Sequence, residues 1–236
     1  MVVSQNIDSS NIGIEILNMG GNAIDASVAV GFSLAITLPR AGNLGGGGFL
    51  LVYIKEKDEI VSIDYRGASS LNADLFKIFQ KKLPEQYNEI DRDLVRYGYQ
   101  ASTTPGTVAG LLEAHKLYGR LPLKDVLAPV IKQASEGILV SYDLHNAIKS
   151  APQLLEDPES KRIYFTDGEA LKINSLMKRP DLAKTISQIA DQGLEGFYAG
   201  EVAALISKAM KDNQGFIDFN DPVSYTHLTL PTICSV

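Results

Sequence analysis

The stretch "GNLGGGGFLLVY", residues 42–53, sets Gly45, Gly46, Gly47 and Gly48 in a row between two apolar segments. Glycine loses more backbone entropy on folding than any other residue, so such a run needs a reason in the chain path or in a site. On the N-terminal side Asn22 can cap a helix over Ala23–Thr37. Its small residues Ala23, Ala26, Ala29 and Gly31 permit close packing, and Pro39 ends it. On the C-terminal side "FLLVYIKE", a Lys57-Asp58 turn and "IVSIDYRG" read as a β-hairpin. The order is therefore helix, glycines, strand. Phosphate-binding P-loops and dinucleotide fingerprints run strand, glycines, helix, and a P-loop also needs a Lys that is missing here. A phosphate cradle is excluded. Two readings remain: one backbone passing tightly against another, or a ligand approaching where a Cβ would clash.

The rest of the chain is ordinary in composition. Its 236 residues are 45% apolar and 21% charged, enough for one large domain or two small ones. The net charge of −6 disfavours nucleic acid as a partner. No apolar run reaches the roughly 18 residues of a membrane span; Ile24–Leu38 is interrupted by Asp25, Ser27, Gly31, Ser33 and Thr37. The opening "MVVSQN" has no basic region of a signal peptide. With Cys234 as the single cysteine, a disulfide framework and a cysteine metal site are both ruled out. His115 and His145 lack an HExxH frame or a third ligand at zinc spacing, and each is expected on a helix surface. Neither a metal nor an organic cofactor is expected.

Further helices are expected where Ser9 or Ser10 caps a segment bearing Ile12, Ile16 and Met19, and over Val108–Leu117, with Pro105 in its first turn. Others are expected over Leu123–Glu136, Leu144–Leu155, Leu182–Gln192 and Gly196–Lys211, with a long surface loop over Lys81–Gln100. Residues 222–236, ending "VSYTHLTLPTICSV", lose the helical texture. They read as a non-native tail of sequencing or assembly origin, with a terminal strand as the alternative, so His227 and Cys234 carry no functional weight. Asp64 and Arg66 share one face of a strand, as a surface ion pair or as part of a site. There is no GxSxG elbow, and no nucleophile, base and orienting group can be assembled.

The segments "GGNAIDASVAVGFSLAITLPRAGNLGGGGFLLVY", "IDYR" and "TPGTVAGLLEAHKLYGRLPLKDVLAPVIKQASEG", followed by "GFYAGEVAALI" and "NQGFIDFND", resemble the large-subunit region of the γ-glutamyltranspeptidases (glutathione hydrolases) over residues 1–221. The resemblance implies an α/β (α+β) fold, the αββα four-layer sandwich of N-terminal-nucleophile hydrolases, incomplete here. It implies a precursor that cuts itself into two subunits. The new N-terminal threonine of the small subunit would move the γ-glutamyl group of glutathione and related γ-glutamyl compounds to water or amino acids. A terminal amine can serve as base for its own hydroxyl. No threonine here matches that position; Thr103, Thr104 and Thr107 lie at a helix entry. The catalytic residue is therefore expected outside this chain, on a missing small subunit that would be its partner. Arg66 matches the arginine of the family's D-[FY]-R, which implies that it binds the α-carboxylate of the γ-glutamyl group, a role suited to a guanidinium fork. Gly45, Gly46, Gly47 and Gly48 are expected close by, as a backbone passage or lining the site. The family continues R-x-x-A-P, whereas Gly67, Ala68, Ser69 and Ser70 follow here, and the missing proline is expected to loosen the turn. The resemblance implies a periplasmic or secreted protein. Alternative functions are a cephalosporin or glutaryl acylase of the same superfamily, and a non-catalytic binding module.

Overall fold

The computed structural model describes residues 1–73, 97–225 and the backbone of 232–234. Most of the loop expected over Lys81–Gln100, and His227, lie outside the described residues. In chain order come α1 (Ile7–Asn18), α2 (Ala23–Thr37), β1 (Phe49–Ile54), β2 (Glu59–Asp64), α3 (Thr107–Tyr118) and α4 (Leu123–Glu136). Then follow β3 (Ile138–Leu139), α5 (Tyr142–Lys149), α6 (Pro158–Tyr164), β4 (Phe165–Thr166), β5 (Glu169–Ala170), β6 (Leu176–Met177) and α7 (Pro180–Gln192). The chain ends with α8 (Glu195–Tyr198), α9 (Gly200–Asp212), α10 (Asn220–Tyr225) and β7 (Thr232–Cys234). It divides into two compact units, Met1–Asn43 with Leu111–Gln192, and Leu44–Gly110 with Gly193–Val236.

The first unit is helical. Its core is apolar: Phe32 and Ile36 of α2, Val126, Leu127 and Val130 of α4, and Ile186 and Ile189 of α7 are fully buried. Each such side chain contributes about 1.5–3 kcal/mol on leaving water. Asn22 and Asp25 form a capping box at the start of α2, as the sequence suggests. The α1 cap is different from the expected one. Asn6 accepts from the amides of Asp8 and Ser9, which places Ser9 and Ser10 inside the helix. The Ser9 hydroxyl instead meets Ser33 at 2.7 Å and Thr37 at 2.8 Å, and Ser33 donates to Gln133 of α4 at 2.7 Å. This buried chain of hydroxyls ties α1, α2 and α4 together.

Asp25 is fully buried and accepts from the amides of Asn22 (2.8 Å), Arg120 (3.0 Å) and Leu121 (3.3 Å). A carboxylate with several amide donors tolerates such burial. His115 is half-buried rather than on the surface. Its Nε2 lies 2.9 Å from the Leu121 carbonyl, which only accepts, so Nε2 carries a proton. His145 similarly holds the Leu171 carbonyl through Nδ1 at 2.8 Å. The helix expected over Leu144–Leu155 breaks into α5 and a 3₁₀ turn, Pro152–Leu155, because proline cannot continue the ladder. Helix α6 and the β4–β5 hairpin carry no clear sequence pattern. Asp157 caps α6 through the Ser160 amide, and Asp167 and Gly168, both at positive φ, turn β4 into β5.

The second unit holds the hairpin. Strands β1 and β2 pair antiparallel from Phe49↔Asp64 to Ile54↔Glu59, and β7 pairs along the other edge of β2, with Val61↔Cys234 and Ile63↔Thr232. Val52, Val61 and Ile63 are buried. On the opposite face of the pleat Phe49, Leu51, Tyr53 and Ile60 are exposed. The helix expected over Gly196–Lys211 is interrupted at Gly200 (φ 62°), giving α8 and α9. Among the described residues no helix is long and apolar enough to cross a membrane.

Candidate functional site

The site is built at the far end of β2. Pairing continues one residue past each strand: the Tyr65 amide donates to the Gly48 carbonyl at 2.9 Å. Gly47 then lies directly against the opposing backbone. A Cβ there would sit 2.6 Å from the Gly67 nitrogen and 2.9 Å from Arg66 Cα, closer than real side chains approach. Only glycine fits. The Gly46 carbonyl turns the other way and accepts from the amides of Gly106 (2.8 Å) and Thr107 (3.0 Å). It thus satisfies amides at the N-terminus of α3 that have no partner within the helix. A third, Ala109, donates to the Tyr198 hydroxyl at 3.1 Å, which donates in turn to the Pro105 carbonyl at 2.8 Å. Burial pushes the Tyr198 phenol well above its ordinary range, so the proton for that donation stays in place. Gly106 completes the packing. A Cβ there would overlap the Tyr65 carbonyl. The glycine run and "PGTVAG", far apart in the sequence, therefore serve one strand end. Helix α3 starts at Thr107, and Pro105 precedes it.

Arg66 is the residue this backbone presents. Its amide donates to Asp64 Oδ1 at 3.0 Å, and its carbonyl accepts from the Tyr225 hydroxyl at 2.8 Å. Tyr225 belongs to the segment 222–236; it is buried, and its ring stacks on Tyr198 at 5.6 Å. The Arg66 side chain is exposed, and its guanidinium lies 5.7 Å from the Phe49 ring centroid. Among the described residues it makes no hydrogen bond or ion pair. The alternative of an Asp64–Arg66 surface pair is thus not formed; the carboxylate is engaged with backbone instead. A cation over an exposed ring is held by about 0.5–1 kcal/mol, so the fork is free to meet an incoming carboxylate.

Beyond Arg66 the chain is tied down rather than loosened. Ala68 and Thr104 exchange backbone bonds at 3.2 and 2.8 Å. Ser70 is buried, its hydroxyl 2.7 Å from both Asp221 Oδ2 and the Phe216 carbonyl. Asp221, also buried, takes the Leu71 and Asp218 amides at 2.9 Å each. A hydroxyl and a buried carboxylate supply here the restraint expected to be lost with the proline. Sequence reasoning missed Ser70, Asp221 and Tyr198. "NQGFIDFND" and "GFYAGEVAALI" drew notice as strings, but nothing in them announces a partner 151 residues away.

Of the glycines, Gly46, Gly47 and Gly48 contact backbone or the Tyr65 ring, and Gly45 is exposed. Thr103, Thr104 and Thr107 all sit within continuous backbone, without the free amine that an N-terminal nucleophile needs. Among the described residues no group of three His, Cys, Asp or Glu side chains could hold a metal ion.

A sequence profile of the Gamma-glutamyltranspeptidase family matches residues 9–235. The glutathione hydrolase proenzyme of Escherichia coli (strain K12) is 38% identical over 229 residues, covering 95% of this chain and 38% of that protein. The chain thus spans a little over a third of that relative's length. The crystal structure of Helicobacter pylori gamma-glutamyltranspeptidase superposes with a TM-score of 0.89 at 36% identity, over 100% of this chain and 69% of that one. The gamma-glutamyltranspeptidase from Pseudomonas nitroreducens complexed with L-DON gives a TM-score of 0.85 at 33% identity, over 100% of this chain and 70% of that one. With mixed helices and strands that follow these structures throughout, the chain belongs to the γ-glutamyltranspeptidase family and has its N-terminal-nucleophile hydrolase fold.

Proposed function

We propose that this chain forms the large-subunit part of a γ-glutamyltransferase/glutathione hydrolase and supplies the arm that grips the substrate's α-carboxylate. Arg66 is that arm. One observation carries the reading: an exposed guanidinium without an ion partner among the described residues stands on a backbone fixed on both sides. A bidentate pair to a carboxylate is strong and directional. On this reading the substrate is glutathione or a related γ-glutamyl compound. The threonine nucleophile comes from the remainder of the precursor, outside this chain, which completes the fold as the small subunit. Residues 1–221 form the large-subunit portion. Residues 222–236 stay outside it on sequence grounds, although Tyr225 packs against Tyr198. A periplasmic or secreted location accords with this activity.

The test is substitution of Arg66 in a full-length precursor carrying this region. Loss of one partner from a desolvated charge pair costs about 2–5 kcal/mol. Arg66→Ala is therefore expected to lower kcat/KM for a γ-glutamyl anilide by roughly 10²-fold or more. Arg66→Lys keeps the charge but loses the second bond, and recovers only part of the activity. Self-cleavage acts on the chain itself and continues in both variants. Near wild-type kcat/KM in a correctly cleaved Arg66→Ala enzyme would remove Arg66 from the substrate.

A further inference from the structure

The Arg66 side chain has little to aim it. Among the described residues it makes no hydrogen bond or ion pair, and its guanidinium lies 5.7 Å from the Phe49 ring centroid. Its direction is therefore set by its own backbone, and besides the Tyr225 hydroxyl on the Arg66 carbonyl that backbone is held by side chains from both directions along the chain. Upstream, Asp64 Oδ1 takes the Arg66 amide at 3.0 Å. This bond from a side chain to the amide two residues on closes an Asx turn spanning Asp64 to Arg66 at the end of the strand pairing. Downstream, Ser70 and Asp221 lock the return of the loop, with Ser70 Oγ 2.7 Å from Asp221 Oδ2 and the Leu71 amide 2.9 Å from Oδ1. The Asn72 amide also rests on Ser70 Oγ at 3.0 Å. Deleting that one hydroxyl removes its bonds to Asp221, the Phe216 carbonyl and the Asn72 amide, and leaves, of this latch, only the bond from the Leu71 amide to Asp221.

We propose that Asp64 and the Ser70–Asp221 pair are positioning residues for substrate capture, holding Arg66 where its fork meets the carboxylate. This rests on the reading of Arg66 given above. It assigns Asp64 a role that does not depend on its charge. One oxygen acceptor at Oδ1 is sufficient, and an asparagine offers the same oxygen. It also makes Ser70 more than a turn residue. Misaiming a ligand-binding side chain weakens substrate and transition state alike, so the effect belongs in KM rather than in kcat.

The experiment uses a full-length precursor carrying this region, with a γ-glutamyl anilide as substrate and self-cleavage as the check on folding. Asp64→Ala is expected to raise KM about 10-fold with kcat altered by less than about 3-fold, the signature of lost uniform binding. Asp64→Asn is expected to restore KM to within about 2-fold, because the amide oxygen replaces the carboxylate acceptor. Ser70→Ala is expected to raise KM by about 3- to 10-fold, again with kcat largely kept. If Asp64→Ala and Ser70→Ala both keep the parental KM while Arg66→Ala loses activity, the positioning role is overturned and Arg66 stands as the carboxylate ligand. If Asp64→Asn behaves like Asp64→Ala, the Asx bond is not what Asp64 supplies, and the proposal fails for that residue. If Arg66→Ala itself changes nothing, the carboxylate reading falls and the positioning role with it.

Discussion

In the unit of α1, α2 and α4 a buried chain of hydroxyls links side chain to side chain across three helices, with Asp25 apart from it on backbone amides, whereas in the unit of the hairpin the polar side chains around Arg66 chiefly hold backbone. Ser9, Ser33, Thr37 and Gln133 form a chain of side-chain bonds. Asp64 and Tyr198 instead hold main-chain amides and a carbonyl, and Asp221 takes two main-chain amides beside the Ser70 hydroxyl. The first arrangement fixes how helices pack. The second fixes the route of a loop and leaves the side chain at its apex without a hydrogen bond or ion pair among the described residues. The apolar residues divide in the same way. Phe32 is fully buried, while Leu51 of β1 is 74% exposed and Phe49 63%. One unit has closed its core; the other shows an apolar sheet face of the kind that ordinarily marks an interaction surface.

The largest expected effect concerns the nucleophile that the proposed reading places outside this chain. On that reading the 236-residue chain, purified and given a γ-glutamyl anilide, is expected to show no turnover above buffer. Titratable activity would mean that a complete site lies within it. Next comes the contrast in packing. Phe32→Ala opens a cavity in the closed core and is expected to cost about 3–5 kcal/mol in urea unfolding. Leu51→Thr, on the exposed face, is expected to change stability by no more than about 0.5 kcal/mol and to raise soluble yield. Equal costs at the two positions would erase the distinction between the units. A loss smaller than that of Phe32→Ala sharpens it. Gly47→Ala forces a Cβ against Gly67 and Arg66, and overpacking of this kind costs about 1–3 kcal/mol. The same change at Gly20, where no atom lies within 4 Å of an added Cβ, meets no neighbour and is opposed only by the positive φ of 92°. A thermal unfolding comparison separates crowding from backbone strain.

How much of this the sequence discloses depends on the distance over which the cause acts. The limits of α2 and α4 are readable because a capping box and an apolar pattern are local. Asn6 in place of Ser9 as the α1 cap is a near miss: the serines look like caps until the hydroxyl chain claims Ser9 for the interior. The tight passage at Gly47 is visible as a glycine run, but its counterpart at Gly106 is linked to it only by tertiary packing. Arg66 stands out through its resemblance to a motif. By residue chemistry alone it is half of a presumed ion pair with Asp64, and that pair is not the one the fold makes. Ser70 looks like a plain turn residue, because its carboxylate partner lies across most of the chain.

That last separation also bears on biosynthesis. Ser70 and Asp221 are 151 residues apart. At a translation rate of about 5–20 residues per second, roughly 8–30 seconds pass between their appearances. Throughout that interval the hairpin can form, since its contacts are near neighbours, but the segment after Arg66 has no latch to close on. The cost of closing so long a loop grows only logarithmically with its length, so the delay is a matter of order rather than of energy. Arg66 is thus made well before the segment that fixes the loop after it.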